Sequence, residues 1–213
     1  MAFTGASRPS LNALVNAELV AENQTEIFRR PAKYEGEILP LPELNDSQRA
    51  ACTGLTSLMR EDGPRAALLF GVTGSGKTSI YIHLIDNMLK SGKASILLVP
   101  EIALTPQMLQ TFSSHFGNEI AVLHSSLSVG ERYDEWKRVK NGEAGVVIGT
   151  RSAIFAPVED PGLIIIDEEQ EDTYKSENNP RYHVRACHLA ECECQCSGGR
   201  GYENLSPDIQ KAR

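Results

Sequence analysis

Two stretches of this chain carry residues whose types and spacing suit chemistry on a phosphate. Gly71-Val72-Thr73-Gly74-Ser75-Gly76-Lys77-Thr78 matches the phosphate-binding pattern GxxxxGK[ST] at every fixed position. A triphosphate is a dense anion, and holding it takes several backbone N–H groups converging on a concave surface. Glycines let the chain curl that way, and a helix beginning near Lys77 adds its positive end. In such a loop Gly71, Thr73, Gly74, Ser75 and Gly76 cradle the phosphates of ATP. Lys77 reaches the β- and γ-phosphates, and the Thr78 hydroxyl sits on the accompanying Mg²⁺. The second stretch is Leu163-Ile164-Ile165-Ile166-Asp167-Glu168-Glu169-Gln170. Its apolar half reads as a buried strand, which puts Asp167 at a carboxyl end, where parallel sheets bind ligands. Asp167 there takes Mg²⁺ through water, and Glu168 serves as general base or water-orienting group for attack on the γ-phosphate. The plain alternatives are a flexible Gly/Ser turn and an acidic surface loop; the pairing of the two motifs weighs against both.

These residues need elements to hold them, and the hydrophobic pattern supplies them. Asn45-Asp46-Ser47 offers an N-cap, and Ala50, Ala51, Leu55 and Leu58 give the buried face of a helix ending near Gly63-Pro64. Leu68 to Phe70 is expected as the strand entering the phosphate loop and Thr78 to Ser91 as the helix leaving it. Further strands are expected at Ser95 to Val99, Ile120 to Leu123, Gly145 to Ile148 and Gly162 to Ile166. Helices are expected at Leu104 to Phe116 and Gly130 to Asn141. Strands that are apolar throughout and separated by helices imply an α/β domain with a mostly parallel sheet covered on both faces. Ahead of it, Ser7 to Asn16 has helical spacing, and Leu19 to Ala21 and Thr25 to Phe28 look like two short strands. That fits a partial winged helix or an arbitrary helix and hairpin equally. The expected organisation is a remnant at 1–30, a Pro/Gly-interrupted linker at 31–43, the α/β domain at 44–186 and an irregular tail at 187–213.

Composition bounds the function. The 213 residues are 41% hydrophobic and 23% charged, as in a soluble globular protein, and no apolar run is long enough for a membrane span. The N-terminus lacks a signal layout, so the expected compartment is cytoplasmic. A net charge of -7 gives no basic footprint of an autonomous nucleic-acid binder, which still leaves room for weak holding of a strand through amides and a few cations. The five cysteines are an odd number with no export signal, so a disulfide framework is not expected.

Several further stretches stand in a recognisable order. They are Val99-Pro100-Glu101-Ile102-Ala103-Leu104-Thr105-Pro106-Gln107, His124-Ser125-Ser126-Leu127-Ser128, Gly149-Thr150-Arg151-Ser152-Ala153-Ile154-Phe155-Ala156-Pro157, Ile166-Asp167-Glu168-Glu169, and then Tyr174-Lys175 and Pro180-Arg181-Tyr182-His183. With the phosphate loop they resemble the successive helicase motifs of the PriA family, the superfamily 2 DNA helicases of bacterial replication restart, from about residue 6 to residue 186. The resemblance implies a RecA-like ATP-binding lobe of an ATP-dependent DNA helicase. Gln48 matches the family's adenine-reading glutamine, whose amide both donates and accepts; without the resemblance it reads as a helix-surface residue. Thr105, Thr150 and Arg151 match positions that meet the phosphates of single-stranded DNA. Glu171 to Arg185 matches the aromatic-rich loop that couples DNA contact to ATP hydrolysis, so Tyr174, Lys175, Arg181 and Tyr182 are expected on unpaired bases and backbone. Single-stranded and forked DNA, primosome proteins and single-strand-binding proteins are the partners implied.

The chain also departs from that family. Gln170 stands where histidine is usual, from which altered coupling is expected. A second RecA-like lobe, its arginine finger and the cysteines that bind zinc are expected in the full-length family but are not in these residues, so weak ATPase activity without unwinding is the expectation. The alternative is a truncated non-motor module that holds nucleotide or DNA without productive turnover. Cys187, His188, Cys192, Cys194 and Cys196 have zinc's ligand types but no matching pair spacing. His83 and His124 have no constellation around them and read as structural.

Overall fold

A computed structural model describes residues 7–21, 29, 34–61, 66–72, 74–176 and 182–184. The five helices expected from hydrophobic spacing form within a residue or two of their expected starts, and their caps explain where they begin. Helix α1, Arg8–Asn16, has Ser7 as N-cap and Pro9 in its first turn, and buries none of its residues. Helix α2, Asp46–Leu58, opens on a reciprocal capping box in which Asn45 and Gln48 each accept the other's backbone N–H. Helix α3 is Lys77–Lys90. Helix α4, Pro106–Phe116, is capped by the Thr105 hydroxyl, which accepts the Met108 N–H. Helix α5, Val129–Lys140, starts on a second box between Ser128 and Glu131.

Between them lie four strands, β1 (Ala94–Leu98), β2 (Ile120–Leu123), β3 (Val146–Gly149) and β4 (Pro161–Ile166). They form one parallel sheet in the order β2-β3-β1-β4. Side chains alternate across it. Leu97, Val99, Val122, Ile148 and Ile165 pack with Tyr81, Ile82 and Ile85 of α3 and Phe112 and Phe116 of α4. On the opposite face Ile96, Leu98, Leu123 and Val147 pack with Val139 of α5, Ile154 and Tyr174. Helix α2 closes the outside of α3 through Cys52, Ile80 and Leu84. The expected mixed α/β architecture with a parallel sheet, of the RecA-like kind, is what forms.

An ion pair inside α5 secures the edge of that sheet. Glu135 and Arg138 are each 2% exposed and 2.7 Å apart. Glu135 also accepts the Val122 N–H at 2.8 Å, while Arg138 donates to the carbonyls of Ile120 and Asn118 at 3.1 and 2.6 Å. Two buried charges thus satisfy the backbone of β2, an arrangement that tolerates loss of neither partner.

The strand expected at Leu68 to Phe70 does not form. This segment is extended but enters no ladder: Leu69 packs inward, while Leu68 and Phe70 are 71% and 89% exposed. A strand needs an edge to pair with as well as an apolar run, and among the described residues β4 pairs only with β1. Likewise Leu19 to Ala21 is not a strand, and Leu19 is 73% exposed. The companion strand expected at Thr25 to Phe28 lies outside the described residues, as do Cys187, His188, Cys192, Cys194 and Cys196.

Candidate nucleotide-binding site

The phosphate loop ends on Gly76, which serves as N-cap of α3 with φ 79°, a left-handed backbone that glycine adopts without the Cβ penalty. No side chain caps this helix, so its first-turn N–H groups have no side-chain acceptor, as an anion site requires. Gln48 reaches over from α2 and donates from Nε2 to the Ser75 carbonyl at 2.9 Å, while its Oε1 serves the capping box. One amide hydrogen of Gln48 is left over by that count. Gly71, Gly74, Ser75, Gly76, Lys77 and Thr78 lie together around the start of α3; Thr73 lies outside the described residues.

The acidic half of the site comes from the end of β4. The Asp167 N–H donates to the Leu98 carbonyl at 2.9 Å, extending the ladder one residue past the strand. Glu168 then turns with φ 45°, a left-handed conformation uncommon for a residue with a side chain. That turn brings its Oε1 to 3.6 Å from Lys77 Nζ. Gln170 donates to its Oε2 at 2.6 Å, and Lys77 Nζ also donates to the Gly71 carbonyl at 3.0 Å. The lysine thus bridges the loop carbonyl and the glutamate, at the place where a terminal phosphate would compete for it. The residues suit a nucleotide with its Mg²⁺: an uncapped helix end, the Thr78 hydroxyl in its first turn, and a carboxylate fixed beside them.

Two tyrosines hold Asp167. The Tyr81 hydroxyl donates to Asp167 Oδ1 at 2.9 Å. The Tyr174 hydroxyl lies 2.5 Å from the Asp167 carbonyl and 3.1 Å from that of Leu98. Burial first, and then the charge of Asp167, pushes both phenols well above their ordinary range, so both remain donors. This corrects the expectation for Tyr174. It is 1% exposed, inside the core of the lobe, and presents no ring for an unpaired base. Its hydroxyl finds backbone acceptors at the sheet's end, which draws the turn Asp172–Tyr174 inward.

The other residues expected on DNA are more scattered. Thr105 caps α4. Thr150 is 3% exposed and lines, with Arg151, Glu101 and Tyr174, a narrow cleft of about 90 Å³, so it is not part of an open surface. A guanidinium nitrogen of Arg151 donates to the carbonyls of Thr173 and Lys175 at 3.4 and 2.9 Å, pinning the turn that carries Tyr174. Lys175 is exposed and bridges antiparallel to His183, and Tyr182 packs edge-on to Phe155 at 4.9 Å. Arg181 lies outside the described residues. His83 is hydrogen-bonded to the Pro42 carbonyl at 2.8 Å. A wider groove of about 770 Å³, between α2, α3 and residues 41–44, is lined by Arg49, Cys52, Arg60 and His83 and does not include the phosphate loop. Among the described residues no cluster of His, Cys, Asp and Glu could hold a metal by itself, and no helix is long and apolar enough to cross a membrane.

Sequence reasoning missed Tyr81 and the contact between Gln170 and Glu168. The signal for Tyr81 was present, because it lies four residues after Lys77 and so on the same face of α3.

Parallel sheet, phosphate loop and acidic strand end together define the nucleotide-binding lobe of a P-loop α/β protein. The chain belongs to the family described as type III restriction enzyme, res subunit, which matches residues 41–184. Along most of its length it is similar to replication restart proteins PriA. It is 45% identical to that of Bacillus subtilis over 194 residues, which is 89% of this chain and 24% of that protein. It is 42% identical to that of Synechocystis over 196 residues (89% and 23%), and 41% identical to that of Chlamydia trachomatis over 187 residues (86% and 24%). The chain thus spans about a quarter of the length of these relatives.

Proposed function

We propose that this chain is the ATP-binding N-terminal motor lobe of an ATP-dependent DNA helicase acting in primosome assembly and replication restart. The observation that carries the reading is the meeting of Lys77 and Glu168 at an uncapped phosphate loop, with Asp167 held by Tyr81 of the helix that leaves it. Similarity to replication restart proteins supplies the biological setting. The lobe occupies 44–186 in this reading, with a winged-helix remnant at 1–30, a linker at 31–43 and a separate tail at 187–213.

Each residue then has a task. The loop amides and Lys77 neutralise the phosphates, and Gln48 offers its remaining amide hydrogen to adenine. Thr78 and Asp167 hold Mg²⁺, which when bound offsets charge on the phosphate oxygens. Glu168, steered by Gln170, orients the attacking water. Single-stranded and forked DNA runs past Thr105, Arg151, Lys175, Arg181 and Tyr182, and primosome and single-strand-binding proteins are the partners in a cytoplasmic setting. Lys77 is the cation these residues bring to the phosphates. Added arginines are worth roughly 10³–10⁵-fold in phosphoryl transfer, so the lobe alone should be slow. The test is single-turnover ATP hydrolysis with and without single-stranded DNA. DNA-stimulated turnover that Lys77→Ala abolishes supports the motor, and absence of both binding and turnover refutes it. Binding without turnover would favour a non-motor module, a reading that the unpaired Leu68 to Phe70 segment leading into the loop also favours.

A further inference from the structure

Tyr81 has no part in the phosphate-loop pattern, yet its hydroxyl makes the one side-chain hydrogen bond given to Asp167 among the described residues, at 2.9 Å. The ring is 7% exposed and packed with Leu97, Val99 and Ile165 in the core between α3 and the sheet. Asp167 is already fixed at the backbone: its N–H donates to Leu98, and its carbonyl accepts from Tyr174. The remaining freedom is rotation of the carboxylate, and the Tyr81 phenol removes it by holding Oδ1. We propose that Tyr81 is the positioning residue of the site, aligning Asp167 so that Oδ2 is left for the hydration shell of the Mg²⁺ that comes with ATP. The inference rests on the nucleotide reading given above. Because α3 begins at Lys77, the same helix presents Thr78 to the metal from its first turn and anchors the metal's carboxylate from its second. Loop and acidic strand are therefore aligned by a single rigid element. The ring that carries this phenol is packed in the core, which fixes the direction from which it donates.

The experiment is a Mg²⁺ titration of ATP binding, followed with a fluorescent ATP analogue, on the whole chain and its variants Tyr81→Phe, Asp167→Asn and the double variant. Tyr81→Phe keeps the packed ring and deletes only the hydroxyl, and circular dichroism verifies that it folds. Hydrogen-bond partners of metal-holding carboxylates are worth roughly 10–100-fold in metal affinity, so the half-saturating Mg²⁺ concentration should rise at least about 10-fold, with binding at saturating Mg²⁺ unchanged. In the Asp167→Asn background the same change should add less than about 2-fold, because the phenol acts through that carboxylate. An unshifted Mg²⁺ dependence in Tyr81→Phe, or a full shift in the Asp167→Asn background, overturns the positioning role and leaves the nucleotide reading intact. Absence of Mg²⁺-dependent binding in the unaltered chain overturns both.

Discussion

Replacing Tyr174 with phenylalanine separates a core tyrosine from a DNA-facing one by a stability measurement alone. The substitution removes one oxygen and leaves the ring in place. In the structure that oxygen serves two carbonyls, but their losses differ. The Leu98 carbonyl keeps the Asp167 N–H as a donor at 2.9 Å, whereas the Asp167 carbonyl, 2.5 Å from the phenol, has no second donor among the described residues. The cost is therefore that of one buried acceptor left without a partner, roughly 1–3 kcal/mol. Small domains hold about 5–15 kcal/mol in total, so about 2 kcal/mol is readily seen. At this chain length it corresponds to a fall in Tm of roughly 4–8 °C. Urea denaturation followed by circular dichroism gives the free energy, and fluorescence anisotropy with a labelled single strand gives the affinity. Stability should fall while DNA affinity measured below the transition stays the same. Exposed sites usually change stability by less than about 0.5 kcal/mol, so a Tyr174→Phe protein within that margin of the parent would refute the buried placement.

Two other outcomes follow from buried and partly buried charges. Arg138→Met strands Glu135 inside the lobe and removes donors from Ile120 and Asn118, so urea denaturation should show a loss of about 3–5 kcal/mol. Adding Glu135→Gln, which discharges the stranded group and still accepts from Val122, should recover at least about 1 kcal/mol of it. Burial first, and then Arg132, pushes the imidazole of His124 below its usual 6.5. The unfolded chain consequently binds this proton more readily, and stability is full above pH 6.5 and declines as pH falls below it. Thermal melts between pH 5 and 7.5 should show that decline, and His124→Asn should flatten it.

The elements that bury a continuous face were legible in the sequence, because burial leaves a local record. The apolar runs of β1 to β4 and the spaced apolar residues of α2 to α5 sit where their patterns put them. Leu68 to Phe70 carries the same record but lacks the edge a strand requires, and strand pairing is non-local information that so short a run does not contain. The phosphate loop was legible for the opposite reason: its function needs fixed residues at fixed spacing. The aromatic-rich stretch was legible in composition and not in direction. Nothing in Asp172-Thr173-Tyr174 says that the ring turns toward the sheet; that depends on the carbonyls of Asp167, just past β4, and of Leu98, far away in sequence. The burial of Glu135 and Arg138 left no signal in the sequence, since opposite charges at i,i+3 spacing do not say whether their face is wet or dry.

The left-handed backbone at Glu168 bears on how this lobe could be altered. Such a conformation costs a residue with a side chain on the order of 1–3 kcal/mol, and glycine or asparagine at that position would relieve part of it. Selection for stability alone would therefore discard this glutamate, the residue proposed to orient water. A laboratory evolution campaign aimed only at yield or heat resistance would drift toward well-folded proteins lacking this carboxylate.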